Sequence, residues 1–455
     1  MLKTDVLIIG GGLAGLSCAY HLQRSHQKVS TLVLEKEKRV GGLAGSLQHD
    51  GFTFDHTGHL LHLHDPYGKK LILDLLKDNF YLRNRNSWIY SHGAYTRYPF
   101  QANTYGLPPR VVEACVVGFL KTLRNGGQAL PSSLSFKSWA LSTFGEGICK
   151  HFMFPYNEKL WRVPLNSMTT EWQGRFVPKP KPEEVLYGAL TDQKKFFGYN
   201  ATFRYPKRGG SQSLPDALAR RVKNIHLGAQ VTAIDLNQRV AEIDGIGEVG
   251  FETLVNTMPL VHFLDKTKGL PQVVRSARAD LRYTSVYCLN LGIARSSISD
   301  KHWIYFPEKQ FNFYRAGFST NFSPHIAPRG ATAMYIEVSG IPGQKFEFDR
   351  EESRVLEGLR SCGILKSKDR LLTKLWMPIP CAYVIYDRER ARAARTIFSY
   401  LKDHRAESIG RYGAWKYSFM EEAILDGKRC AERILGVSDV SLKLSSSNIE
   451  LQALK

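Results

Sequence analysis

The sequence predicts an α/β fold in which a Rossmann-type nucleotide-binding domain carries an inserted helical domain and an antiparallel β-sheet domain. Three observations lead there. A glycine-rich strand-turn-helix-strand pattern opens the chain, helical texture fills residues 108–190, and short alternating strands rich in aromatics run through 224–340. The composition agrees: 455 residues, 43% hydrophobic and 23% charged, exclude a disordered chain, a collagen-like repeat or a disulfide mini-protein. At roughly 150 residues per domain, two to three domains are expected.

Taken in order, Val6 to Ile9 is a continuous apolar run, the mark of a buried parallel strand. Glycines 10, 11, 12 and 15 follow, then Leu16 to Gln23 at helical spacing, then a second strand from Ser30 to Leu34. Pro108-Pro109 opens a helix with Val111, Val112, Cys115, Val116, Phe119 and Leu120 on one face, and helical stretches are predicted at 135–161 and 182–190. From 224 to 260 the period falls towards two: Val231 and Ala233 flank Thr232, and Ala241 and Ile243 flank Glu242. Residues 282–340, rich in Tyr, Phe, Thr and Val, predict further strands. Ser418 with Glu421 three residues on predicts a capping box, opening a last helix with Ala423, Ile424, Cys430 and Ile434 on its apolar stripe. The predicted division is a discontinuous nucleotide-binding domain (1–85, 205–275 and 385–440), a helical insert (86–200), an antiparallel-sheet domain (276–384) and a loose serine-rich tail (441–455).

Lysine plus arginine number 62 against 42 acidic residues, a formal charge of +20. Such a surface favours a phosphorylated small molecule, a nucleic acid or an acidic membrane face. No recognition helix or RNA-binding signature supports nucleic acid. Seven cysteines, odd in number and never paired as C-x-x-C, argue against a disulfide framework and a zinc site and read as reduced, buried thiols. Asp5 interrupts what would otherwise pass for a signal peptide. The longest other apolar run, Ala114 to Leu120, falls far short of the roughly 20 residues that span a bilayer. A soluble cytoplasmic protein without a transmembrane segment is expected.

Gly10-x-Gly12-x-x-Gly15 lies between strand and helix, and Glu35 ends the next strand. The first glycine allows a tight turn, the second lets a pyrophosphate approach the backbone, and the third lets helix pack on strand. The helix N-terminus adds N–H groups and a positive dipole end. Glu35 is placed to accept from a ribose 2′-hydroxyl, so an adenine dinucleotide is expected. Arg39 and a second glycine cluster, Gly41 to Gly45, can wrap the pyrophosphate and ribityl chain of a longer cofactor, which favours FAD over NAD.

This arrangement resembles the flavin amine oxidase superfamily, whose members bind FAD, and the resemblance covers the whole chain. Within it, several blocks are similar to the UDP-galactopyranose mutase family: Asp55 to His59, Tyr98-Pro-Phe-Gln101, Phe154 to Pro164, Trp172-Gln-Gly-Arg175, Asn200 to Gly210, Trp303-Ile-Tyr305, Phe313-Tyr-Arg315 and Gly410 to Tyr417. The resemblance implies a Rossmann-type FAD-binding domain and isomerisation of a nucleotide-diphosphate sugar between six- and five-membered rings, with no net redox change. Reduced FAD is required: flavin N5 attacks the anomeric carbon and expels the nucleotide diphosphate, and the N5–sugar adduct opens and recloses through another hydroxyl. A nucleotide-diphosphate sugar is the implied substrate and NAD(P)H or another reductant the implied partner.

The same resemblance assigns residues. Arg175 and Arg315 match an arginine pair on the diphosphate, suited to bidentate, charge-assisted bonds, and His59 matches a histidine beside the flavin; these three form the implied catalytic set. Cofactor contacts are implied for Gly10, Gly12, Leu13, Ala14, Gly15, Glu35, Lys36, Arg39, Gly42, Leu43, Ala44, His59, Val231, Met258, Arg411, Tyr417 and Ser418. On the substrate side, Tyr98 and Gln101 match contacts to the base, Trp161 a residue near base or ribose, and Asn200 a phosphate or ribose contact. Tyr305, Tyr383 and Tyr417 match tyrosines near the diphosphate. Core packing is the competing role for each aromatic. His56, His62 and His64 lack recognisable ligand spacing, so no metal is expected. Phe322 stands where the family usually carries a tyrosine, which leaves sugar and nucleotide open. An oxidase or desaturase on the same fold remains the alternative, with a non-catalytic binder of the Rab GDP-dissociation inhibitor kind as a third.

Overall fold

The computed structural model describes residues 2–124, 134–198 and 200–436; the Arg175 side chain and the expected tail at 441–455 lie outside the described residues. The strand Leu2–Ile9 buries its apolar end from Val6 onward. It pairs in parallel with Thr31–Glu35 on one side and Gly247–Asn256 on the other. Ile225–Leu227 extends one edge in parallel, and Ala406–Ser408 runs parallel to the far end of Gly247–Asn256. Val240–Ile243 and Val231–Asp235 complete the seven strands as an antiparallel edge. Three separated stretches of chain therefore build one sheet. The helix Leu13–Gln23 is apolar on nearly every side and buried to match. Met420–Ile434 lies across it, with Ser17 Oγ donating to the Ile424 carbonyl at 2.6 Å.

A second seven-stranded sheet runs in the order Leu371–Val384, Tyr283–Ile293, Thr332–Gly340, Arg315–Phe318, Trp303–Tyr305, Ser87–Ser91, Ala94–Arg97. Its last two members correct an expectation. Residues 87–97, placed in the helical insert on sequence, form a hairpin that joins the sheet, Ser87–Ser91 running parallel to Trp303–Tyr305. The physical cause is local: Trp88, Ile89 and Tyr90 are strand formers, and His92 and Gly93 adopt φ of 51° and 74°, the conformation a two-residue hairpin turn demands.

The helical insert consists of Pro109–Arg124, Phe136–Ile148, Phe154–Trp161 and Pro182–Leu190. The helix expected at 135–161 is interrupted. Gly145 takes φ 77°, and a π-helical segment, Cys149–Met153, precedes Phe154–Trp161. The break re-aims the last eight residues, so that Tyr156 and Trp161 face the second sheet.

Candidate active site

The nucleotide end of the site is built on Gly10, Gly12 and Gly15. Gly10 has φ 107°, and a Cβ there would sit 2.2 Å from Thr257 Oγ1; a Cβ on Gly15 would fall 2.0 Å from the Gly10 carbonyl oxygen. Both glycines are required by the protein itself. Gly12 is different: the nearest neighbour of a Cβ would be Gly41 O at 4.0 Å, so open space stands before it. Gly12 is also the N-cap of Leu13–Gln23 and supplies no side-chain cap, which leaves the first-turn amides of Leu13, Ala14 and Gly15 available to an anion. Gly41 N donates to Gly11 O at 2.8 Å, laying the turn Gly42–Ala44, with Leu43 half-buried, against the first glycine loop. Arg39 Nη1 donates to Gln212 Oε1 at 2.8 Å, which anchors the guanidinium beside this second cluster.

Glu35 is 6% exposed and accepts from the amides of Gly11 (2.8 Å) and Glu37 (2.9 Å). Its carboxylate is thereby fixed beside the glycine turn. Lys36 points outward, with its side chain 68% exposed and 3.5 Å from Glu37. Val231 is buried in the antiparallel edge of the first sheet. Met258 lies two residues past the strand Gly247–Asn256, and the Asn256 side-chain amide holds its backbone through bonds of 3.1 and 3.2 Å.

The expected capping box does not form. Glu421 instead reaches back to accept from the amides of His64 (2.9 Å) and Asp65 (3.1 Å). The Ser418 hydroxyl is left buried with no partner, just ahead of Met420–Ile434. An orphaned hydroxyl beside a helix N-terminus, together with the open space before Gly12, fits a long phosphorylated cofactor lying between the two.

The centre of the site lies on the second sheet. Arg315 and Glu337 are register partners on adjacent strands. Glu337 is fully buried and clamps the guanidinium through Nε–Oε1 at 2.9 Å, Nη2–Oε1 at 2.7 Å and Nη2–Oε2 at 2.8 Å. Nη1 makes no hydrogen bond among the described residues. Tyrosines surround the pair. Tyr305 lies 5.2 Å from Tyr98 and 5.5 Å from Tyr156 between ring centroids. Tyr383 stacks on Tyr417 at 6.0 Å, and the Arg411 guanidinium lies 5.3 and 4.7 Å from these two rings. Arg411 is held by the carbonyls of Ser418 (2.5 Å) and Ala382 (3.3 Å). Burial pushes the Tyr417 phenol up to about 12 and raises Tyr98, Tyr156 and Tyr383 as well. These phenols are therefore neutral O–H donors at physiological pH.

His59 follows the strand Phe52–Asp55, which is held by Asp55 accepting from Ser46 Oγ (2.6 Å) and Tyr205 OH (2.8 Å). Burial, and then the fields of His56, Arg411 and Arg315, lower its pKa to about 3. The imidazole is therefore neutral and sits within electrostatic reach of both arginines.

Other expected residues scatter in informative ways. Asn200 and Tyr98 are brought together by Arg85, which sequence reasoning missed. Arg85 Nη1 donates to Asn200 Oδ1, Nη2 donates to Phe197 O at 2.8 Å, and the guanidinium lies 4.7 Å from the Tyr98 ring. In a chain with 62 basic residues nothing marks Arg85 in advance. Glu337 and Gln212 were also missed. Gln101 Nε2 donates to Pro178 O at 2.7 Å while its Oε1 is buried and unpartnered. Trp161 is 1% exposed, gives its indole N–H to Asn157 Oδ1 at 3.1 Å and lies 5.6 Å from Tyr383; the structure places it in the core behind that tyrosine. The Arg175 backbone lies in the turn Gly174–Phe176, and the Phe176 ring is 4.5 Å from Tyr417. Phe322 is buried against Phe203 and Tyr205. No three metal-ligating side chains converge, and no helix is long and apolar enough to cross a membrane, among the described residues.

Comparison with known proteins places this arrangement. A crystal structure of reduced UDP-galactopyranose mutase superposes with a TM-score of 0.90 at 26% identity, covering 96% of each chain. Wild-type putrescine oxidase with bound putrescine shares the fold, at a TM-score of 0.65 and 17% identity over 96% of this chain and 99% of its own. Coproporphyrinogen III oxidase of Bacillus subtilis (strain 168) is 19% identical over 385 residues, 78% of this chain and 81% of its own length. The stretch from residue 13 to 435 matches the flavin containing amine oxidoreductases. With the glycine cradle, Glu35 and the orphaned Ser418 hydroxyl in place to receive a flavin cofactor, the chain belongs to the flavin containing amine oxidoreductase family.

Proposed function

We infer that the chain is an FAD-dependent nucleotide-sugar mutase that interconverts the pyranose and furanose forms of a UDP- or other NDP-hexose without net redox change. The observation that carries this reading is Arg315: a partly buried guanidinium, its side chain 20% exposed, clamped on one edge by the fully buried Glu337 and ringed by neutral tyrosine hydroxyls. A guanidinium among phenol donors suits a diphosphate better than it suits hydride transfer from a hydrocarbon. The likeness to reduced UDP-galactopyranose mutase supports it.

Reduced flavin, when bound, supplies the nucleophile that displaces the nucleotide diphosphate. The chain's own residues do the rest. The Gly12 turn and first-turn amides hold the cofactor pyrophosphate with Arg39, and Glu35 holds its ribose. Tyr98, steadied by Arg85, and Asn200 receive the nucleotide. Arg315, with Arg175, neutralises the diphosphate as it leaves, and Tyr305, Tyr383 and Tyr417 donate hydrogen bonds to its oxygens. His59, neutral at working pH, offers a hydrogen bond near the flavin without adding charge.

A second reading, a flavin oxidase, is favoured by one observation: the relative from Bacillus subtilis is a coproporphyrinogen oxidase. The deciding experiment is anaerobic. The purified protein is reduced with dithionite and offered a panel of UDP-, GDP- and TDP-hexoses. Isomerised product from reduced protein alone supports the mutase and names the sugar. No conversion or binding of any nucleotide sugar, with flavin bleaching by amines or porphyrinogens instead, supports the oxidase and ends the mutase reading.

A further inference from the structure

On the outer side of the helix Phe154–Trp161, a cleft of about 430 Å³ opens between that helix, the end of the strand Thr332–Gly340 and the start of the helix Phe348–Ser361. Its lining begins at Val338, the residue after Glu337, but includes neither Glu337 nor Arg315 nor the tyrosines around them. On an extended strand Val338 points to the face opposite Glu337, so the cleft and the Arg315 clamp lie on opposite faces of that strand.

Six cationic residues line it: Lys159, Arg162, Lys309, Lys345, Arg350 and Arg354. Three carboxylates share the lining, Glu158, Glu347 and Glu351, and two of these are already engaged. Glu347 pairs with Lys345 at 2.7 Å and Glu351 with Arg354 at 3.0 Å. Lys159 is turned inward, donating to the carbonyls of Phe306 (2.7 Å), Glu308 (2.6 Å) and Phe313 (3.2 Å). That leaves Arg162, Lys309 and Arg350, all exposed and none in an ion pair among the described residues.

Like charges gathered on a concave wall repel one another and focus a positive potential into the space between them. An anion placed there removes the repulsion. Because the cations come from separate segments, an extended anion bridges them better than a single small one. One wall is aromatic, with Tyr287 stacked on Phe346 at 3.6 Å.

We propose that this cleft is a second anion site, which binds an oligophosphate (the phosphate chain of a nucleotide or a free polyphosphate) apart from the active site. The assignment stands on the cleft alone and does not depend on the mutase reading.

The test is calorimetric titration of inorganic tripolyphosphate into the full chain as purified, compared across two variants. Arg162→Ser/Arg350→Ser removes two exposed, unpaired cations and is expected to weaken one tripolyphosphate site by about tenfold or more, as for loss of charge-assisted bonds. Arg315→Met, in the active site, is expected to leave that same site intact. Thermal melting checks the fold of the double variant, and Arg162→Lys/Arg350→Lys, which keeps the charges, must keep the site. ATP separates the two sources: tighter binding than tripolyphosphate assigns the base to the Tyr287–Phe346 wall, and equal binding assigns the phosphate chain alone. If every tripolyphosphate site survives Arg162→Ser/Arg350→Ser at full affinity, the proposal is overturned.

Discussion

Replacing Glu337 with glutamine changes one oxygen to an amide nitrogen and nothing in volume, so its consequences read out the Arg315 clamp directly. In the native site, three hydrogen bonds of 2.7–2.9 Å join the two side chains. Glutamine keeps one acceptor oxygen. The bonds that remain become charge-to-neutral, and its NH₂ group meets a guanidinium N–H, donor against donor. A bond to a charged group is worth about 1.5–3 kcal/mol, and removing one partner of a buried pair costs about 3–5 kcal/mol. Since glutamine retains part of the bonding, about 3 kcal/mol is expected. Denaturation midpoints of Glu337→Gln, Arg315→Met and the double variant, followed by tryptophan fluorescence, complete a cycle. The expected coupling is about 2 kcal/mol or more, because Glu337→Gln costs little once Arg315 is gone. Additivity within about 0.5 kcal/mol would refute the view that the two residues act as one unit.

Other consequences can be checked separately. Gly12→Ala should melt close to wild type, because its Cβ meets open space, yet retain flavin at least about tenfold less tightly; equal flavin retention would refute the cradle. Gly15→Ala, whose Cβ would fall 2.0 Å from a carbonyl oxygen, should lose both fold and flavin. Arg315→Met/Glu337→Gln should keep its flavin content while nucleotide-sugar affinity, measured by titration, falls by about 2–5 kcal/mol; undiminished UDP-sugar binding would exclude Arg315 from the diphosphate site. His59 has its pKa lowered from 6.5 to about 3. The unfolded chain therefore takes up this proton first, so stability present above about pH 6.5 is lost as pH falls towards 3, with a limiting slope of about 1.4 kcal/mol per pH unit. His59→Gln should flatten the stability profile between pH 6.5 and 4 relative to wild type, and an unchanged slope would mean that His59 does not titrate in this window.

The parts of the site that were legible in the sequence are the contiguous ones. Gly10, Gly12, Gly15 and Glu35 fall within two strands and the turn and helix between them, the glycines chosen by backbone sterics and Glu35 by the amides its carboxylate accepts from. The Arg315 block was legible through its neighbours, but the Glu337 partner was not, since the pair depends on the register of two strands. Arg85 and Gln212 carry no local signature. The capping box failed for the same reason in reverse: Ser418 and Glu421 have the right spacing, yet Glu421 is claimed by the amides of His64 and Asp65, more than 350 residues away in sequence. The hairpin at 87–97 had a local signal in its alternating strand formers and His-Gly turn, outweighed on sequence by the helical texture that follows.

The sequence by itself determined the nucleotide-binding βαβ start, the mixed α/β class and the residue types able to meet a diphosphate. These depend on backbone sterics, periodicity and side-chain chemistry, which are properties of a residue and its near neighbours. Tertiary structure alone decided that Trp161 lies behind Tyr383, that Arg315 faces the site on one edge with its other edge neutralised, and that Ser418 is left with an unpaired hydroxyl. Each of these depends on how segments far apart in sequence pack against one another. That arrangement is settled only when both sheets and the helical insert have packed together.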